Sequence, residues 1–363
     1  MATEYLDILR MAATTPEPHA LTQAIRAMNN AMSAVAFTAS IDLTTMLDQS
    51  QSILFNRFPT EIRTRIFEYA ASSSDDHNVP YEVDRIYYRP DFLYGQKSEL
   101  ALLQTCKRIF KEARLMPVSQ AEHTFWLFGG PLRNLRTRKH AVADITGWQN
   151  SLNKEQQSAV EHVHLFAQQF YLEDLDARKE RTHFNFQAKS FTLTFRHSDW
   201  WTWESPAEST DRLGICPFIP GRVSHQAMLS QPVSPSVKEL RSSLNKDTWG
   251  WHIGQIKGLE ILVIEFETDI VKQDQLNVVL EEAKGWKFLL SDSEAVLEYT
   301  GSVETLQWVG NAHRHHDNRP MLRPTGLRTT TPLSRDRTSI PMRTYYVAKM
   351  RFKKRSLLKD ESG

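Results

Sequence analysis

Leu259-Glu260-Ile261-Leu262-Val263-Ile264-Glu265-Phe266-Glu267, LEILVIEFE in one-letter code, is the stretch whose reading decides the fold. Ile261, Val263 and Glu265 alternate with Leu262, Ile264 and Phe266, so the period is that of a strand and both faces are largely apolar. A strand that is apolar on both faces has to be covered on both, which places it at the centre of a sheet. Strand-period segments flank it. HTFWLF with Phe125 and Leu127, VEHVHLF, and KSFTLTFRHS, where Phe191, Leu193 and Phe195 alternate with Thr192, Thr194 and Arg196, come before it. Short strands near VLEY and TLQWV come after it, then TYYVAKMRFKK, where Tyr346, Ala348, Met350 and Phe352 alternate with Val347, Lys349, Arg351 and Lys353. KQDQLNVVLEEAKGW interrupts the series with Leu276, Val279, Leu280 and Ala283 at helical spacing. The expectation is an α+β domain over residues 119–363 with two long stretches that do not read as packed: 204–246, rich in Pro and Ser, and 310–343, rich in Arg, Pro and Thr.

Upstream of Met116 the period is helical. FPTEIRTRIFEYA, Phe58 to Ala70, sets Pro59 at the head of a helix, where its missing N–H leaves no bond unmade, and Glu61 near the positive end of the helix dipole. Ile62, Ile66, Phe67 and Ala70 are expected on one face, Arg63, Thr64 and Glu68 on the other. SSSDD at 72–76 stops this helix. A second helix is expected over SELALLQTCKRIFKEARLMP, with Ser98 as N-cap, an apolar stripe of Leu102, Leu103, Cys106, Ile109, Phe110 and Ala113, and Pro117 as its end. The expected organisation is a helical segment of unassigned role at 1–52, a helical module at 53–118 with an insertion at 71–98 packed on the larger domain, and the α+β domain.

These helices resemble an F-box. FPTEIRTRIFEYA is similar to the opening of that motif, where a Leu-Pro pair leads into an acidic residue and an apolar-striped helix; LLQTCKRIFKEA is similar to its later helix. The order of EHTFWLF, VHLFAQQFYLE, DWWTWE and GLEILVIEFET after the helices resembles a group of fungal F-box-like proteins. The resemblance implies binding of the Skp adaptor of a cullin-RING ubiquitin ligase by Phe58, Pro59, Glu61, Ile62, Ile66, Leu103, Cys106 and Ile109, and presentation of a protein substrate by the C-terminal domain. Phe58 replaces the family's leucine, and about two dozen extra residues, DDHNVPYEVDRIYYRPDFLYGQK, separate the helices where an F-box has a short connection. Tyr81, Tyr87, Tyr88, Phe92 and Tyr94 in this insertion are candidates to cover the docking face. Two readings of the first helix therefore stand: a docking edge, or a stripe buried against the rest of the chain.

With 40% hydrophobic and 24% charged residues the composition is that of an ordinary globular chain. Cys106 and Cys216 allow at most one disulfide, and both thiols are expected reduced, in the cytoplasm or nucleus. No membrane association is expected, since no apolar run is long enough to span a bilayer and the first residues lack the pattern of a signal peptide. From Asn311 to Gly363 thirteen Lys and Arg face four Asp and Glu, a balance of +9 against −8 for the first 310 residues. A nucleic-acid binder using this basic end is therefore a rival reading, but Tyr346 and Phe352 point away from the face of Lys349, Arg351 and Lys353, so no aromatics interleave with these cations on one face, and specific nucleic-acid binding is not expected.

Catalytic motifs are missing: there is no Gly-rich phosphate loop, nucleophile elbow or H-E-x-x-H helix, and neither enzymatic activity nor a cofactor is expected. His162 and His164 share a strand face and HRHHDN occupies 313–318, but neither has the partners of a metal site. Five of the nine tryptophans fall at the edges of one long loop: Trp200, Trp201, Trp203, Trp249 and Trp251. Together with Arg196 and His197, and with Asp199 at the rim, they form either a recognition surface or a core that clamps the base of the loop. The reading reached is a non-enzymatic interaction protein, possessing either an adaptor-binding module or an interaction role without an adaptor.

Overall fold

The computed structural model describes residues 46–81, 87–127, 130, 145, 147–173, 184, 186–219, 221, 225–230, 235–241, 248–312 and 341–357. The expected helical segment at 1–52 lies outside these residues up to position 45, as do HRHHDN and most of the 310–343 stretch.

Helix α1, Thr60–Ala71, starts one residue after Pro59 and has Glu61 in its first turn. It stops at Ser72, where the chain turns extended and enters β1, Ser73–Pro80, which pairs antiparallel with β2, Tyr94–Ser98. The insertion between the helices is thus a hairpin, and the strap from Tyr87 to Leu93 belongs to its far end. The second helical stretch is not one helix. A 3-10 turn at Ala101–Gln104 ends, Cys106 is fully extended (φ −158°, ψ 158°), and α2, Lys107–Ala113, starts afresh. Pro117 lies within the following turn, Met116–Ser119, and does not end the helix before it.

The core of this module contains Phe67, Leu103, Ile109, Phe110 and Ala113, with Leu54, Phe55 and Cys106 packed against them. The inward face of α1 is Arg63, Phe67 and Ala71, rotated from the expected stripe of Ile62, Ile66, Phe67 and Ala70. Arg63 explains the rotation. Its Nε and Nη2 donate to Glu112 of α2 at 3.0 and 3.2 Å, its Nη1 donates to the Phe58 carbonyl at 2.8 Å, and its guanidinium stands 5.4 Å from the centroid of the Phe55 ring. A charge so fully bonded tolerates burial that an unpaired one would not.

The larger body holds a seven-stranded sheet in the order β3-β4-β5-β6-β9-β8-β7. Its members are β3, Glu122–Trp126; β4, His162–Phe166; β5, Ser190–Phe195; β6, Ile261–Asp269; β7, Lys287–Leu289; β8, Ala295–Asn311; and β9, Met342–Ser356. The first four are parallel and the last three antiparallel, so the sheet is mixed and the class is α+β. LEILVIEFE is β6, and it is central. The two expected short strands at VLEY and TLQWV are one strand, β8, with an irregularity between Tyr299 and Val303 where Gly301 takes φ +90°.

Between β3 and β4, α3, Lys154–Ala159, is set by a capping box in which Asn153 and Gln156 exchange side-chain to backbone hydrogen bonds at 2.9 and 3.0 Å. Later, α4, Trp249–Ile253, and α5, Gln273–Ala283, bring Trp249, Ile253, Leu276, Val279 and Ala283 into one core with Val163, Leu165, Leu193, Phe195, Leu262, Ile264, Phe266, Met350 and Phe352. Those strand residues all lie on one face of the sheet. The 204–246 stretch corrects its expectation. Leu213, Ile215 and Cys216 are buried in this same core, and Gln275 of α5 fixes the loop by accepting from Leu213 N–H at 3.0 Å and donating to the Ala207 carbonyl at 2.7 Å.

Candidate functional site

Candidate functional residues fall on two surfaces. The first is the outer side of α1. Phe58 is 41% exposed, Ile62 46%, Ile66 39% and Tyr69 89%, while Phe67, one position from Ile66, is 1% exposed. Ile53 adds a further exposed apolar side chain just upstream. Ile62, Ile66 and Tyr69 thus set a row of exposed large apolar groups at i, i+4 and i+7 along a short helix.

Sequence reading assigned eight residues to adaptor binding, and the structure divides them. Phe58, Pro59, Glu61, Ile62 and Ile66 lie on this outer side. Leu103 and Ile109 are buried in the core of the module, and Cys106 is half-buried against it, so these three pack beneath α1 and do not line its outer side. The insertion does not cover the face through its aromatics. Tyr87 and Phe92 meet Trp126 of the sheet edge to face, and Phe92 meets His164 and Phe166 in the same way.

The second surface is the sheet face opposite the apolar core. Trp126, Phe166, Thr194, Glu265, Lys349 and Glu304 stand in one row across six strands, because strand pairing puts them in register. Over this row lies the strap, whose Arg89-Pro90-Asp91-Phe92 closes a turn by a Phe92 N–H to Arg89 carbonyl bond of 2.9 Å. Proline suits the second position of such a turn. The turn aims Arg89 and Phe92 at the sheet. Arg89 pairs with Glu265, lies 3.8 Å from Glu267 and sets its guanidinium 5.7 Å from the centroid of Phe166. Asp91 meets Lys349 at 3.6 Å, and Lys349 meets Glu265 at the same distance.

Electrostatics separate the two glutamates. Burial pushes the Glu265 carboxyl up, but Arg89, Lys349 and His164 outweigh it and hold the group below its ordinary value. Glu267 is buried further from cations; burial prevails over Arg89 and over the hydrogen bonds from His197 N–H and Trp308 Nε1–H, and its carboxyl is pushed up. At the edge of the sheet His164 holds Glu122 through Nδ1 at 2.7 Å and Thr194 through Nε2 at 2.8 Å, so its ring is a buried strut. His162 is exposed beside it, and among the described residues no group of three or more His, Cys, Asp or Glu is placed to hold a metal.

The tryptophan cluster is mainly core. Trp200 and Trp249 are buried, as are Arg196 and His197, so these four correct the reading of a recognition surface. Arg196 is locked to Asp199 by Nε and Nη2 at 2.7 and 2.9 Å, and Asp199 also accepts from the Arg196 N–H at 3.0 Å. Trp201 donates to Glu173 at 2.7 Å, and the carbonyls of Thr202 and Trp203 accept from Lys272 at 2.6 and 3.1 Å. This is the clamp at the base of the loop. Trp251 lines a pocket with Phe218, Leu240, Arg241 and Lys287, but at about 200 Å³ it is below the roughly 300–1,000 Å³ of ordinary small-molecule sites.

Sequence reasoning missed Arg89, Glu267 and Lys349 as a group. The turn signal Arg-Pro-Asp-Phe was there to be read, but its docking place, more than 170 residues away along the chain, was not. No protein-family model, curated protein or solved structure matches the chain.

Proposed function

We propose that the chain is a non-enzymatic interaction protein that uses the outer side of α1 to dock the Skp adaptor of an SCF-type ubiquitin ligase, while the sheet domain engages a protein substrate. The observation that supports this reading is the exposure of Phe58, Ile62 and Ile66 on a helix whose opposite side is anchored by Arg63 and Phe67. Of the two readings of FPTEIRTRIFEYA, the buried stripe would have placed Ile62 and Ile66 inside, and they are outside.

Docking and folding are then separable. Phe58→Ala with Ile62→Ala is expected to abolish co-purification of the Skp adaptor with the full-length chain while the melting temperature stays at the wild-type value. Recovery of the adaptor by this double variant, or failure of the wild-type chain to retain any adaptor, would refute docking.

A further inference from the structure

Arg89 is an unusual occupant of its place. It is 2% exposed, it arrives from a surface turn and not from the sheet, and it uses one guanidinium nitrogen for both Glu265 and Glu267. Its Nε and Nη1 are buried with no hydrogen-bond partner. A buried donor left unmade is costly, so Arg89 fills the place without satisfying it. The place itself has the chemistry of a guanidinium site: two carboxylates at the bottom and the ring of Phe166 beside them. What fixes the turn on the sheet is side chains, namely Arg89, Phe92 against Phe166 at 5.0 Å, and Asp91 with the half-exposed Lys349. The Phe92 N–H bond to the Arg89 carbonyl closes the strap on itself.

We infer that the strap is a plug in cis: the socket formed by Glu265, Glu267 and Phe166 recognises an arginine side chain of a partner protein, which displaces Arg89 when it binds. Guanidinium is favoured over ammonium because the two carboxylates, on residues two apart along β6, offer acceptors to a planar fork, and because a flat cation stacks on the ring. A partner arginine presenting both terminal nitrogens would make the bonds that Arg89 leaves unmade. The strap therefore sets the affinity: the socket is available only in the fraction of molecules whose turn has lifted, and apparent binding is weakened by that fraction. This inference concerns the sheet domain and stands apart from adaptor docking by α1.

The test uses the full-length chain without adaptor and, as probe, a fluorescein-labelled peptide with the sequence of residues 87–93, followed by anisotropy. The Arg89→Ala chain, its socket emptied, is expected to bind the peptide at least about tenfold more tightly than wild type, and Phe92→Ala, which loosens the turn and leaves both carboxylates, is expected to do the same. A peptide with lysine in place of its arginine is expected to bind at least about tenfold more weakly. Glu267→Gln added to Arg89→Ala is expected to remove the gain. Equal binding by wild type and both variants, or equal binding of the lysine peptide, overturns the inference. Should Arg89→Ala fail to fold, Phe92→Ala and hydrogen exchange of the wild-type chain decide it. Faster exchange of the 87–93 amides at saturating peptide supports displacement, and unchanged exchange under the same conditions overturns it.

Discussion

The outer side of α1 and the strap-covered face of the sheet invert the same rule in opposite directions. On α1 the apolar residues Ile62 and Ile66 are outside and Arg63 is inside. On the sheet the charged residues Arg89, Glu265 and Glu267 are inside, beneath a turn that itself lies at the surface. The physical account differs. Arg63 is a structural charge, with four bonds to its own module that leave no obvious vacancy, and its burial frees the outer face to remain apolar. Arg89 is carried in by a turn held on the sheet through side chains, and its Nε and Nη1 are left without a hydrogen-bond partner. Departures from the inside-outside pattern are informative in both regions, and the two proposals rest on them: an exposed apolar face on α1 and a covered charged face on the sheet.

The largest effects should separate adjacent residues. Phe67→Ala is expected to cost about 3–5 kcal/mol in urea unfolding, whereas Ile66→Ala, beside it on the exposed side, should stay within about 1 kcal/mol. Comparable losses for the two would break the comparison, since α1 would then bury both. Arg63→Ala belongs with Phe67, because it leaves Glu112 and the Phe58 carbonyl short of their donor, and about 3–5 kcal/mol is expected. Arg65→Ala, on the exposed side with a single contact to Glu68, should change stability by no more than about 0.5 kcal/mol.

Next in size is Lys349, which the basic-end reading would assign to phosphate. It sits 3.6 Å from both Asp91 and Glu265, so its charge is engaged by the strap and the sheet. Lys349→Glu is expected to lower stability by about 1–3 kcal/mol and to loosen the strap, and neither this chain nor wild type should bind duplex DNA or single-stranded RNA saturably at physiological salt. Salt-sensitive saturable binding by the wild-type chain, lost in the variant, would return the nucleic-acid reading.

Much of this architecture was legible because period is a local property. LEILVIEFE announced the central strand, KSFTLTFRHS its neighbour β5, and KQDQLNVVLEEAKGW the helix α5, each from its own alternation. What failed was any inference that required a partner from elsewhere in the chain. Arg63 was set outside because Glu112 could not be assigned to it; the second helix ran through Cys106 because nothing local showed the break; and the Pro- and Ser-rich stretch hid Leu213 and Ile215, whose burial depends on α5. Of the eight candidate docking residues, Phe58, Pro59, Glu61, Ile62 and Ile66 lie on or beside the exposed side of α1, whereas Leu103, Cys106 and Ile109 belong to the packing beneath it, and the inward face of α1 is rotated from the expected stripe; the guanidinium socket was invisible because its two halves are distant in sequence.

A last comparison sets one thiol from each region against the other. Cys216 is buried in the sheet core, and burial pushes its thiol up to about 11, past the opposing hydrogen bonds from the Phe218 and Ile219 amides, whereas Cys106 is half-buried at the break before α2. At pH 8 the thiolate of Cys216 is scarce in the folded chain, so iodoacetamide should label Cys106 first and reach Cys216 only at the rate of unfolding. The linkage has a definite sign. A thiol whose folded value lies above its unfolded value of 9.0 gives full stability below pH 9 and loses it as pH rises from there to about 11, because the unfolded chain releases the proton first. The loss from this one group is of order 1–2 kcal/mol, and Cys216→Ala should flatten stability between pH 9 and 11 by that amount after correction for the cavity it leaves. Labelling of Cys216 at the rate of Cys106 in the folded chain, or an alkaline slope unchanged in Cys216→Ala, would show that the loop carrying Cys216 opens as readily as the surface of the helical module, and the contrast between a clamped sheet domain and an exposed helix face would not hold at that point.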